Sequence, residues 1–129
     1  MRLTIIGAGA IGGTIGAHLI RSGNDVILCD SDVAHVDAIN RDGLTIEGPV
    51  ENFTVPAKAI TPDQLPDSLE HVAIAVKSHH TAAAAEVLRG RLAPDGYLVS
   101  FQNGLTAETL AEVVGWDRLI VSFVNFRCV

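Results

Sequence analysis

The sequence predicts an α/β fold: a doubly wound, mainly parallel sheet with helices on both faces and a small β-hairpin inserted into the series. Three observations carry this expectation. Short apolar runs rich in β-branched residues alternate with segments of helical periodicity along the 129 residues. The first run, Leu3-Thr4-Ile5-Ile6, is stopped at once by a glycine cluster that opens the first helical segment. One stretch, from Leu44 to Val55, breaks the series with two pieces of strict apolar–polar alternation around Gly48 and Pro49.

Each element has its own signal. After the first strand, a helix is expected from about Ile11 to Ser22, closed by Gly23. Asp25 to Cys29 is a second buried strand. Ser31 or Asp32 can cap a helix running to about Arg41, with Val33, Val36 and Ile39 facing inward and Gly43 ending it. Leu44–Glu47 and Phe53–Val55 form the hairpin, and Thr61-Pro62-Asp63 opens a short turn or helix. Val72 to Val76 is the third core strand. Thr81 caps an alanine-rich helix to about Leu92, and Pro94-Asp95-Gly96 turns the chain into a fourth strand, Tyr97 to Phe101. A helix over Ala107–Val114 and a fifth strand over Leu119–Val124 complete the pattern. The chain reads as one domain over residues 1–129. Its last residues, Arg127-Cys128-Val129, follow directly on a core strand, so the expectation is a piece of a longer chain rather than a free-standing small domain.

Composition narrows the partners. With 48% hydrophobic and 19% charged residues the chain can build a real core, and a formal net charge of −6 repels nucleic acid backbones. Cys29 and Cys128 have no CxxC partner; Cys29 falls in a predicted strand and reads as a small core side chain. The apolar run from Leu3 to Ile20 is interrupted by Gly7, Gly9, Gly12, Gly13 and Gly16, which argues against a signal peptide or a membrane span, and the lack of a disulfide scaffold fits a reducing, cytoplasmic setting. His79 and His80 are adjacent, and His18, His35 and His71 lack partners at ligand spacing, so no metal site is expected.

Four motifs sit where open α/β sheets bind ligands, at the carboxyl ends of strands. The first is Gly7-Ala8-Gly9-Ala10-Ile11-Gly12, between a strand and a helix. This context is what makes GxGxxG a Rossmann-type dinucleotide fingerprint. Gly7 permits a tight turn, Gly9 lets a pyrophosphate approach the backbone, and Gly12 lets helix and strand pack closely. The exposed N–H groups at this helix start and the helix dipole favour the phosphate charge. The second is Asp30, ending the second strand, where a carboxylate accepts hydrogen bonds from an adenosine ribose; the same residue, with Ser31 and Asp32, would equally serve as a helix-capping cluster. The third and fourth are Lys77-Ser78-His79-His80-Thr81 and Gln102-Asn103-Gly104-Leu105, each directly after a strand. They read as polar groups at a cleft rim, or as a surface lysine and an Asn-Gly turn.

In combination, the glycine motif, the inserted "GLTIEG…FTVPA" segment, "AVKSHHT" and "SFQNGL" occur in an order that resembles the ketopantoate reductase (2-dehydropantoate 2-reductase) family over essentially the whole chain. The resemblance implies an NADPH-binding N-terminal domain, with Gly7 to Gly12 on the pyrophosphate, Lys77 on the cofactor, and Asn103 near the nicotinamide and the substrate. It also implies that a helical C-terminal domain, outside this chain, binds the substrate and carries the proton-donating lysine, so no catalytic residue is assigned within these 129 residues. The expected partners are the dinucleotide and a small 2-keto acid such as ketopantoate, reduced to pantoate on the route to pantothenate; an oligomer is compatible with this. Two positions depart from the family pattern. Thr106 stands where the family often has glycine, and Asp30 suits NADH better than NADPH because it would face a 2′-phosphate with like charge. Two alternatives use the same opening residues: a nucleotide-sensing regulatory module, which typically carries a Gly-Asp pair absent from Leu44 to Val50, and a related hydroxyacid dehydrogenase.

Overall fold

The computed structural model describes residues 2–48, 51–77, 80–102 and 106–122. Asn103, with Gly104 and Leu105, lies outside the described residues, as does the end of the chain from residue 123, including Cys128.

The elements in order are β1 (Arg2–Ile6), α1 (Ala10–Arg21), β2 (Asp25–Cys29), α2 (Val33–Asp42), β3 (Leu44–Ile46), β4 (Phe53–Val55), β5 (Lys58–Ile60), β6 (Leu69–Ile74), α3 (Thr81–Leu88), β7 (Leu92–Ser100), α4 (Ala107–Val114) and β8 (Leu119–Val121). Six strands form one parallel sheet in the order β5-β2-β1-β6-β7-β8, and β3 with β4 forms the separate antiparallel hairpin. From β1 the chain first builds outward through β2 to β5, then returns to β1's other side and builds through β6, β7 and β8. The reversal lies between β1 and β6, the position at which such sheets open a ligand crevice.

Side-chain alternation along the strands divides the core into two layers. Ile5, Leu28 and Ala73 face α1, α2 and the hairpin, packing with Ala17, Val36, Ile39, Leu44 and Val55. Ile6, Cys29, Val72, Ile74 and Leu98 face α3 and α4, packing with Ala85, Leu88, Leu110 and Val114. The hairpin is fastened to α1 by Arg21, whose guanidinium lies 4.1 Å from the Phe53 ring centroid and makes a two-pronged ion pair with Glu51 at 2.9 and 3.0 Å.

Several expectations are corrected. The sheet holds a parallel strand, β5, that the sequence does not signal. Its Lys-Ala-Ile is too short for a period, and pairing with β2 holds it on one side. On the other side the Asn40 amide stands in for a missing strand, donating to the Ala59 carbonyl at 2.9 Å and accepting the Ala59 N–H at 2.8 Å. The alanine-rich helix ends at Leu88 rather than Leu92, and Leu92 already belongs to β7. The expected Pro94-Asp95-Gly96 turn lies within that strand. The pairing runs from Leu69↔Leu92 directly to His71↔Tyr97, so the extra residues bulge out of β7 rather than ending it. Arg118 donates into the bulge, to the carbonyls of Ala93 and Gly96. Val33 is exposed rather than inward-facing, whereas Val36 and Ile39 are buried as expected. Among the described residues no helix is long and apolar enough to cross a membrane.

Candidate functional site

The carboxyl ends of β1, β2 and β6, the glycine loop and the near face of α3 enclose a cleft of about 510 Å³. The loop that forms its floor is set by three glycines with different geometries. Gly7 has φ +104, open to glycine and strained for other residues, and its N–H donates to the Cys29 carbonyl at 2.7 Å. A β-carbon at Gly12 would stand 1.9 Å from the Gly7 carbonyl oxygen, so α1 can approach the loop only without one. A β-carbon at Gly9 would meet nothing within 4 Å. Gly9 is exposed, lines the cleft and caps α1, which has no side-chain cap and no acidic residue in its first turn. The first N–H groups of a helix have no intrahelical partner, so this end presents donors and a positive dipole to the cleft. Ala10 and Ile11, its first two residues, also line the cleft, while Ala8 is buried beneath.

Asp30 ends β2 at the cleft wall. One carboxylate oxygen accepts the Ala8 N–H at 2.9 Å and the other accepts the Asp32 N–H at 2.9 Å. The helix cap proper is Asp32, whose oxygen accepts the His35 N–H at 3.3 Å, so of the two residues expected to cap α2 the second does so. Asp30 therefore braces the turn and the glycine loop together, and its side chain still borders the cleft beside the exposed Ser31. Cys29 is fully buried behind it. Burial first, then the charges of Asp30 and Asp63, push its thiol up to about 12, so it stays protonated and acts as an apolar wall.

Across the cleft, Lys77 follows β6, is exposed, and lines the opening together with His80. The connection carrying Lys77 is anchored by Gln102, a residue the sequence places only within a rim motif. Gln102 is 6% exposed. Its amide donates to the Val76 carbonyl at 2.8 Å and to the Thr81 hydroxyl at 2.6 Å, and accepts the Thr106 hydroxyl proton at 3.1 Å. One buried amide thus joins the end of β6, the start of α3 and the start of α4. Thr81 is spent on this network instead of capping α3, where His80 occupies the cap position. Thr106 gains a reason for not being glycine, because its hydroxyl completes the network.

The structure brings together Gly7, Gly9, Ala10, Ile11, Asp30 and Lys77 around one cleft, with Gly12 packed directly behind the loop. Sequence reasoning overlooks His35, whose ring reaches the glycine loop from α2. Its place in the third helical position after an Asp cap leans its side chain toward the helix start, but its partner, the Ala8 carbonyl, lies 27 residues away and gives no local signal.

Comparison with known proteins agrees with this architecture. The ketopantoate reductase PanE/ApbA family matches residues 3–129. The 2-dehydropantoate 2-reductase of Pyrococcus abyssi is 37% identical over 110 residues, covering 84% of this chain and 35% of that protein. The crystal structure of a PanE/ApbA family ketopantoate reductase from Ralstonia eutropha JMP134 is 34% identical, with a TM-score of 0.78, over 95% of this chain and 40% of that one. D-mandelate dehydrogenase, solved with NADH and anilino(oxo)acetate, shares the fold with a TM-score of 0.87 at 21% identity, over 95% of this chain and 40% of that one. The chain therefore spans 35–40% of the length of these relatives. With the strand order, the glycine loop and the match over residues 3–129 in agreement, the chain belongs to the ketopantoate reductase PanE/ApbA family of oxidoreductases.

Proposed function

We propose that this chain binds a nicotinamide dinucleotide in the β1–β6 cleft and serves as the cofactor half of an enzyme that reduces a 2-keto acid, ketopantoate being the substrate named for its relatives. The observation that carries the reading is the open space at Gly9. A loop closed tightly at Gly7 and Gly12 but empty at Gly9 leaves a backbone-lined hollow that any larger side chain would occupy, at a helix start that favours negative charge. In this reading the loop from Gly7 to Gly12 receives the pyrophosphate, Gly9, Ala10 and Ile11 facing it and Gly7, Ala8 and Gly12 setting the shape of the loop behind them; Lys77 contacts the cofactor, and Asn103 lies near the nicotinamide and the substrate. When bound, the cofactor supplies the hydride; the residues of this chain orient it and exclude water from its buried side. General acid catalysis contributes about 10²–10⁴-fold, and its donor is assigned to the C-terminal half of the enzyme.

The same reading assigns NADH over NADPH. The β2–α2 turn offers Asp30, Ser31 and Asp32 to an adenosine ribose, and a carboxylate that already accepts two N–H groups keeps lone pairs for hydroxyls. At about 4 Å and an effective dielectric near 20, a like charge on a 2′-phosphate costs on the order of 4 kcal/mol, reduced by solvent and salt at this open end. Calorimetric titration of both cofactors onto the purified chain tests the reading. NADH is expected to bind more tightly, with no ketopantoate-dependent oxidation by the chain alone. Tighter NADPH binding would reverse the preference, and steady turnover would overturn the division of labour between the two halves.

A further inference from the structure

The peptide joining Ala8 to Gly9 is bordered on its far side by a glycine, whose backbone has wide rotational freedom. Yet Ala8 is held on both sides. Its N–H donates to Asp30 Oδ2 at 2.9 Å, and its carbonyl oxygen faces His35 Nε2 at 2.7 Å. A carbonyl only accepts, so that ring nitrogen carries the proton and donates it. Two further bonds close a ring: the His35 N–H donates to Asp32 Oδ1 at 3.3 Å, and the Asp32 N–H donates to Asp30 Oδ1 at 2.9 Å. The start of α2 is thereby tied to the glycine loop through side chains more than twenty residues away in sequence.

The consequence follows from peptide geometry. In a planar trans peptide the C=O and the next N–H point in opposite directions. His35 draws the Ala8 carbonyl toward α2, so the Gly9 N–H of the same peptide is turned away from α2. Gly9 lines the cleft, whereas neither Ala8 nor His35 does. If this peptide flipped, a carbonyl dipole would replace the N–H dipole on the side where an anionic group is to be received. We infer that His35 is a positioning residue of the glycine loop, selecting by its Nε2–H bond to Ala8 the peptide orientation that presents the Gly9 N–H to a diphosphate. The inference rests on the dinucleotide reading of the cleft.

His35→Met and His35→Gln separate this role from packing. Both side chains are unbranched and of similar length, and only glutamine can donate to the Ala8 carbonyl. NADH affinity is measured by titration and stability by thermal melting, on the parent chain and both variants. The expected result is roughly a tenfold loss of affinity in His35→Met, recovery of most of it in His35→Gln, and similar melting of the two variants. Equal NADH affinity in the parent and His35→Met overturns the inference while leaving the dinucleotide reading intact. Equal losses in both variants, with lowered melting, also overturn it and assign His35 to packing. A parent chain that does not bind NADH overturns the dinucleotide reading, and the inference with it.

Discussion

The two halves of the sheet that meet at the β1–β6 seam secure the cleft by different means. In the first half, β1, β2, β5 and their helices, the polar ties run to a backbone loop: Asp30 and His35 grip a single alanine flanked by glycines. In the second half, β6, β7, β8 and their helices, the tie is one buried amide, Gln102, that bonds to the carbonyl of Val76 and the hydroxyls of Thr81 and Thr106. The first arrangement fixes the orientation of donors at the cleft and uses groups that stay partly solvated. The second fixes the spacing of chain segments around a buried amide and the buried Thr81 hydroxyl, so it is the more costly to break. Backbone presentation and segment spacing are thus assigned to opposite walls of one cleft, and substitutions can address them separately.

The largest effect is expected where the two halves touch. A side chain at Gly12 would strike the Gly7 carbonyl and stand 3.3 Å from the Ala75 β-carbon across the seam. Gly12→Val should therefore lower stability by about 3 kcal/mol or more, since overpacking of a closed contact commonly costs 1–3. A denaturant midpoint equal to that of the parent would show the loop to be more yielding than described. Gln102→Leu comes next. It keeps the volume but removes the partner of the Val76 carbonyl and of the Thr81 and Thr106 hydroxyls, of which Thr81 is buried, for an expected loss of about 1–3 kcal/mol, read in the same denaturation experiment. An unchanged midpoint would remove the distinction drawn between the two walls.

Gly9→Val sharpens the comparison from the other side, because it adds to the loop the same side chain as Gly12→Val. Its stability should fall only modestly, by about 1 kcal/mol for a poorer helix cap, while NADH affinity falls at least about tenfold, or 1.4 kcal/mol. Lys77→Ala, on an exposed rim residue, should cost affinity on the scale of a charged hydrogen bond, about 1.5–3 kcal/mol, without change in melting. Normal affinity with early melting in either variant would assign that residue to the scaffold.

The smallest effect is expected at the hairpin, outside both walls. The Arg21 guanidinium holds the Glu51 carboxyl below the usual carboxylate range, chiefly by its hydrogen bonds. A carboxyl depressed in the folded state contributes stability that is present above its unfolded value, about 4.3, and is lost as pH falls through the folded value. Glu51→Gln should therefore reduce the acid-side slope of the melting curve below about pH 4 and change little at neutral pH, as exposed ion pairs do. A large loss at pH 7 would mean that the hairpin is held to α1 mainly by this pair.

Much of the candidate site was legible because its demands are local. Gly7 and Gly12 answer backbone requirements that appear in sequence as glycine spacing, and Lys77 comes three residues after the end of β6, which sets the end of the sheet at which it emerges. His35 and Gln102 were not legible in their roles, because each acts on groups more than twenty residues away and nothing in their neighbours reveals those partners. The edge strand β5 was hidden for the same reason: three residues have no period, and their extension is imposed by β2 and the Asn40 amide. The β7 bulge shows the converse, since Pro94-Asp95-Gly96 carries a true local turn signal that the neighbouring strand absorbs.

By itself the sequence determined the alternation of strands and helices, the position of the glycine loop and the placement of polar residues at strand ends. Each follows from side-chain period or backbone freedom within a few residues. The tertiary structure decided which segments pair, which of Ser31 and Asp32 caps α2, and how His35 and Gln102 are used. Those outcomes depend on burial and hydrogen-bond satisfaction between distant segments, which exist only once the sheet has assembled.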